Sequence, residues 1–182
     1  MITPVSPRYT TTAITLHWLI GAMILISFAV GFYMSGLKLS PEKLKLYNWH
    51  KWEGVTIFIL VLIRCGWRLF HAPPPPPARM AAWQRHASNA THYLLYALMI
   101  VIPVSGWLMS SAKGFQTVYF GVIPLPDLID KSKELGDTLT LVHKTLNYTM
   151  IAIAILHAAA ALKHHFVDKD EVLRQMLPGR RA

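Results

Sequence analysis

Four histidines sit where ordinary surface composition does not put them. His143 and His157 are 14 residues apart, about 3.9 turns of α-helix, so both imidazoles project from nearly one face, about 21 Å apart along the axis. His17 and His50 lie in two other apolar stretches. With three such helices side by side, His50 shares the level of His143, and His17 shares the level of His157. An ionisable side chain in an apolar span marks a functional site by default. Imidazoles bind haem iron axially, and a bis-histidine haem b leaves no open position, which suits electron transfer. Two stacked haems would make a wire. Zinc wants three or four ligands close together, and the long separation splits these histidines into twos. A proton relay would recruit carboxylates, yet the one acid in the spans is Glu53, near a boundary.

Other residues fall in with these levels. Gly21 follows His17 by four and Gly54 follows His50 by four, which leaves room for a porphyrin edge; glycine also serves plain helix packing in membranes. Arg64 lies 14 residues after His50 and could pair with a haem propionate, or snorkel to the headgroups with Arg68. His164, seven residues after His157 and about 10 Å further along, suits a donor to a quinone head at the bundle mouth, with Thr15 toward the same mouth. A solvated tail histidine is the alternative. His92 rivals His17 as partner of His157. His71 and His86 read as loop residues, and Pro103, beside Ser105 and Gly106, as a helix kink.

The elements that must hold these residues are legible in charge. The 182-residue chain is 53% hydrophobic and 15% charged, against about 25% charged for a soluble domain. Uncharged runs separate Arg8 from Lys38, Arg85 from Lys113 and Lys144 from Lys163, each long enough to cross about 30 Å of hydrocarbon. Asn48–Phe70 is apolar in its middle, with charges and tryptophans near its ends. The expectation is one all-α, integral membrane four-helix bundle over residues 1–182, with helices at about 13–35, 48–70, 88–111 and 142–164. The first span is too long for a cleavable signal. The side holding both termini and the 2–3 loop carries every arginine and a net +7, against +2 on the other. Both termini are therefore expected in the cytoplasm. That bias accounts for the net charge of +9 and removes the case for nucleic acid. The single Cys65 excludes a disulfide, a four-cysteine iron–sulfur cluster and covalent c-type haem. Pro73–Pro77 reads as a stiff spacer, and Pro126–Gly136 as a short surface helix.

Several motifs in order resemble the bacterial cytochrome b561 family. They are T-L-H-W at Thr15–Trp18, H-K-x-x-G at His50–Gly54, R-x-x-W-R at Arg64–Arg68 and H-x-x-L-Y at His92–Tyr96. L-H-A-A-A-A-L-K-H-H-F at Leu156–Phe166 and D-K-D-x-x-L-x-x-M-L-P at Asp168–Pro178 follow. The resemblance implies a bacterial inner-membrane bundle with two haem b groups, the outer on His50 and His143 and the inner on His17 and His157. Similar subunits of formate dehydrogenases and hydrogenases exchange electrons with quinone near the inner haem. Some members look like superoxide oxidases that take an electron from superoxide outside and reduce ubiquinone. Superoxide would need positive potential at the outer face, which Lys51 and Lys144, beside His50 and His143, could supply; such lysines also simply anchor helix ends. The leading expectation is thus a superoxide:ubiquinone oxidoreductase. A quinol-oxidising cytochrome feeding a periplasmic partner, a metal or proton transporter and a cofactor-free adaptor are the competing readings.

Overall fold

A computed structural model describes residues 8–77 and 79–179; Arg180 and Arg181 of the basic tail lie outside them. Four long helices are present: α1 Thr11–Gly36, α2 Pro41–Phe70, α3 Ala82–Ala112 and α4 Lys133–Lys163. Their starts follow from capping chemistry. The hydroxyls of Thr10, Ser40 and Ser132 accept the amides of Ala13, Lys43 and Leu135, filling part of the unmet donor set of a first turn. Pro41 opens α2, where its missing N–H costs nothing. α3 starts differently, with the Ala81 amide donated to Gln84 Oε1.

All four expected helices exist, and three start well earlier than expected, α3 at Ala82 rather than 88 among them. α2 starts at Pro41 rather than 48, and α4 at Lys133 rather than 142. Charges mark where lipid ends, whereas caps mark where the helix ends, so both helices stand proud of the apolar zone at the end holding the 1–2 and 3–4 loops. The expected surface helix at Pro126–Gly136 is absent: residues 126–132 are irregular and Lys133–Gly136 is the first turn of α4. The reason is anchoring by α3, whose Ser111 Oγ accepts the Leu128 amide and whose Ala112 carbonyl accepts the Ser132 amide. A two-stranded antiparallel hairpin, β1 Val118–Tyr119 and β2 Ile123–Pro124, precedes it. Its turn holds Phe120 at φ 49° and Gly121 at φ 73°, and glycine tolerates that left-handed geometry most easily.

Neighbours in sequence are neighbours in space: α1 packs on α2, α2 on α3 and α3 on α4, while α4 makes far sparser backbone approaches to α1 and α2. The tightest packing joins Leu16 and Ile20 of α1 to Ile57 and Val61 of α2, with Met99 and Ile100 of α3 alongside. Large apolar side chains such as Phe32, Ile63, Ile155 and Leu156 instead face outward. α1, α3 and α4 are long and apolar enough to cross a membrane, with mean hydropathies of 2.1, 1.8 and 1.6 over their best windows. α2 carries charge at both ends but is the helix on which α1 and α3 pack. The chain is an all-α membrane bundle. Its termini share one end: the Trp18 indole donates to the Met176 carbonyl, and Arg8 donates to Gly179 O. The last turn of α2 joins them there through a bond from Trp67 Nε1 to Thr10 Oγ1.

Candidate functional site

At the end away from the termini, α2 brings His50 opposite His143 of α4. Their ring centres are 6.3 Å apart and the planes stand at 88°. Each Nδ1 is engaged. His50 Nδ1 lies 3.2 Å from Ser27 Oγ of α1. His143 Nδ1 lies 2.9 Å from Ser105 Oγ and 3.1 Å from the Ile102 carbonyl of α3. Because Ser105 donates its own proton to that carbonyl, the His143 Nδ1 carries the hydrogen and Nε2 keeps its lone pair. Each ring also lies against a glycine: a Cβ at Gly31 would come within 3.1 Å of His50 Cε1, and one at Gly106 within 3.0 Å of His143 Cε1. A small apolar cleft opens between the rings, floored by Ile24, Ile57, Met99 and Met150, with Gly54 and Asn147 on its wall.

This geometry fits a metal held between two imidazoles. Two metal–imidazole bonds of about 2 Å, with a ring radius added on each side, put ring centres roughly 6 Å apart. A polar partner on Nδ1 that fixes the tautomer and aims Nε2 is the usual support for a ligating histidine.

Toward the termini, three histidines meet. His17 of α1 and His157 of α4 have ring centres 6.2 Å apart at 78°. His92 of α3 approaches the same His157 ring to 5.2 Å at 75°, and its Nδ1 lies 3.4 Å from Ser88 Oγ. The His17 separation matches the other pair, whereas His92 stands about an ångström closer. Arg64 reaches this level from α2. Its Nη1 donates to the Ala13 carbonyl at 2.6 Å and its Nε to Tyr96 Oη at 3.0 Å, so it ties three helices together and is not free at the surface. Arg68 lies exposed over the Tyr96 ring.

The remaining expected residues divide. A Cβ at Gly21 or Gly54 would meet nothing within 4 Å, so both border open space. Thr15 is exposed on α1, and no hydrogen bond joins it to His164 among the described residues. His164 is held by carboxylates, its Nδ1 2.6 Å from Asp170 Oδ2. Lys144 is exposed, whereas Lys51 donates to the Phe115 carbonyl at 2.8 Å. The loop acids do not all sit apart from these lysines. The charge of Asp127 acts on Lys51. Asp137 contacts Lys133 at 2.8 Å and Lys113 at 3.8 Å, and Lys133 beside it holds its carboxyl below the usual carboxylate range.

Sequence reasoning missed Ser27, Gly31, Ser105 and Gly106, the residues that aim and seat the two outer rings. For Ser105 and Gly106 a signal was present but read as a kink at Pro103. Gly106→Val should push the His143 ring out of place. The purified protein should then lose one of its two expected haems, seen as a fall in the reduced b-type absorption with the helical circular dichroism unchanged. Full retention would remove the seating role.

A family model for prokaryotic cytochrome b561 matches residues 8–179. The chain is 32% identical over 171 residues to cytochrome b561 homolog 2 of Escherichia coli (strain K12), covering 93% of this chain and 91% of that protein. It is 29% identical over 180 residues to a probable superoxide oxidase, CybB, of Yersinia pestis, covering 96% and 98%. It is 26% identical over 180 residues to a cytochrome b562 of Cereibacter sphaeroides, covering 94% and 96%. With nearly its whole length matched, the chain belongs to the prokaryotic cytochrome b561 family, whose members bind haem b and transfer electrons in the membrane.

Proposed function

We propose that this oxidoreductase carries electrons across the bacterial inner membrane from superoxide on the periplasmic side to ubiquinone on the cytoplasmic side. The observation that carries the reading is the near-identity of two imidazole separations, 6.3 Å for His50 and His143 and 6.2 Å for His17 and His157. Each pair would hold one haem b, giving two per chain. Haem b bound by two imidazoles supplies one-electron transfer with no position open to a ligand. The residues around it keep polarity local. Ser27 and Ser105 satisfy and orient the outer rings, and apolar side chains exclude water from between them. At the inner level His92 is packed too closely against His157 to share an iron with it, so it acts as a polar neighbour. Arg64 keeps a positive charge at that level with guanidinium N–H groups to spare for a propionate.

The superoxide part of the reading rests on the similarity to the relative named a probable superoxide oxidase and on the charge of the outer end. Lys51 is pinned over the Phe115 carbonyl with Asp127 acting on it, and Lys113 and Lys133 share Asp137. Lys144 is the exposed cation nearest in sequence to the outer pair. The ubiquinone part rests on His164, whose ring lies one helical stretch beyond His157 at the end holding the termini. The bias of arginines toward that end supports a cytoplasmic side for it.

Two experiments test this. Haem should be present at two per chain by pyridine haemochrome titration. His143→Ala and His157→Ala should each leave one, with distinct residual spectra. A wild-type ratio of one would overturn the pairing. Stopped-flow mixing of the oxidised protein with superoxide should reduce it, faster at low salt, because screening shortens to about 8 Å at physiological ionic strength. Joint replacement K51Q and K144Q should slow that reduction several-fold at low salt and flatten the salt slope, leaving the haem spectrum alone. No reduction by superoxide would instead favour oxidation of quinol and delivery of electrons to a periplasmic acceptor.

A further inference from the structure

Beyond α4 the chain tightens into a π-helical turn, His164–Asp168, and then reverses through Lys169 at φ 53°. Lysine rarely adopts that left-handed geometry, and here it has a definite result. The chain folds back so that the Asp170 amide donates to the His164 carbonyl at 3.1 Å. Asp170 Oδ2 reaches His164 Nδ1 at 2.6 Å, and Asp168 Oδ2 reaches the same nitrogen at 3.2 Å. Lys163 Nζ closes on Asp168 Oδ2 at 2.6 Å. Asp168 thus already has a cation beside it, so the group is an ion network and not a vacant metal site. Side-chain exposure rises along it, from 13% at His164 and 21% at Asp170 to 29% at Asp168 and 48% at Lys163. The network therefore runs from the protein interior to solvent. The tail that carries it is strapped to α1 by the bond from Trp18 Nε1 to Met176 O, one residue from His17.

We propose that Asp170, assisted by Asp168, is a positioning residue that holds His164 as the proton donor to the bound quinone; this rests on the placement of quinone at His164 above. With two carboxylate oxygens on Nδ1, that nitrogen donates its hydrogen to them and the ring is held in one orientation, so the proton on Nε2 is the one left to give. Reduction of one quinone takes two electrons and two protons. The electrons come from two superoxide ions at the far end, each released as dioxygen. For each proton, the His164 Nε2–H bond breaks, its electron pair stays on nitrogen, and an O–H bond forms on a quinone oxygen. The imidazole then regains its proton from solvent at the exposed end of the network. A proton acceptor and an electron acceptor are thereby served at one mouth by different atoms.

The test uses haem-loaded protein and ubiquinone-1. Binding to the oxidised protein is followed by quenching of tryptophan fluorescence, and turnover is measured separately. D170N should bind ubiquinone-1 as wild type does, keep both haem spectra, and lose about tenfold in kcat with KM unchanged; D170E should restore most of the rate. If D170N turns over at the wild-type rate, or loses binding in step with rate, Asp170 does not position a proton donor. A different failure belongs to the underlying placement: His164→Ala with wild-type binding and wild-type rate would remove quinone from this mouth altogether, and the proposal with it.

Discussion

An imidazole inside a lipid-embedded bundle has two nitrogens, and both must be answered. One can face a metal or an empty cleft only if the other is satisfied by protein, because an unmet polar group away from water costs on the order of 1–3 kcal/mol. Much of the interior of this bundle follows from that requirement. Ser27 and Ser105 are buried where an apolar residue would pack as well, and each lies beside the Nδ1 of one outer ring. Gly31 and Gly106 lie where those rings need the space of a side chain. Polar and small residues thus enter an otherwise apolar core to place two rings.

The helix arrangement serves the same requirement. Because each helix packs closely on its neighbour in sequence, α4 stands apart from α1 and α2. Rings projecting from α4 therefore cross an open interior before meeting rings from α1 and α2. Tight packing of α4 as well would close that interior, as α1, α2 and α3 do locally around Val61, which is 0% exposed. α4 itself buries only Gly136 and Met150. The bundle combines one dense seam, between α1, α2 and α3, with a looser side where a flat group has room.

The sequence made some of this readable and hid the rest for physical reasons. Charge gaps located all four helices, because lipid penalises charge regardless of tertiary detail. They misplaced the starts of α2, α3 and α4; for α2 and α4, Ser40-Pro41 and Ser132 set the start by capping, outside lipid. The levels of His17, His50, His143 and His157 followed from helical rise alone, which depends on no neighbour. What helical rise cannot supply is which residue of another helix lies opposite. Ser27 and Gly31 are ordinary in an apolar span until α2 is docked beside them. The approach of His92 to His157 depends on how α3 rotates against α4. Asp170 was legible as a family motif, but its return onto His164 needs the left-handed turn at Lys169, which no pattern of lysine announces.

The two ends of the bundle are built for different duties, and the difference lies in what surrounds the rings. At the outer level each ring has a hydroxyl on one nitrogen and a glycine against its edge, and apolar side chains fill the wall. At the inner level a third histidine presses on His157, a guanidinium ties three helices together, and a carboxylate-braced histidine leads out to solvent. Removing one electron from superoxide calls for no proton, whereas loading a quinone calls for two. The proposed exit of electrons together with protons fits the inner level, where His92 lies against His157 and the carboxylate-braced His164 leads out to solvent. The reverse flow would use the same atoms with proton transfers inverted, so the asymmetry bears on the proposed place of the quinone and not on the direction of flow. The direction is set by the relative potentials of donor and acceptor.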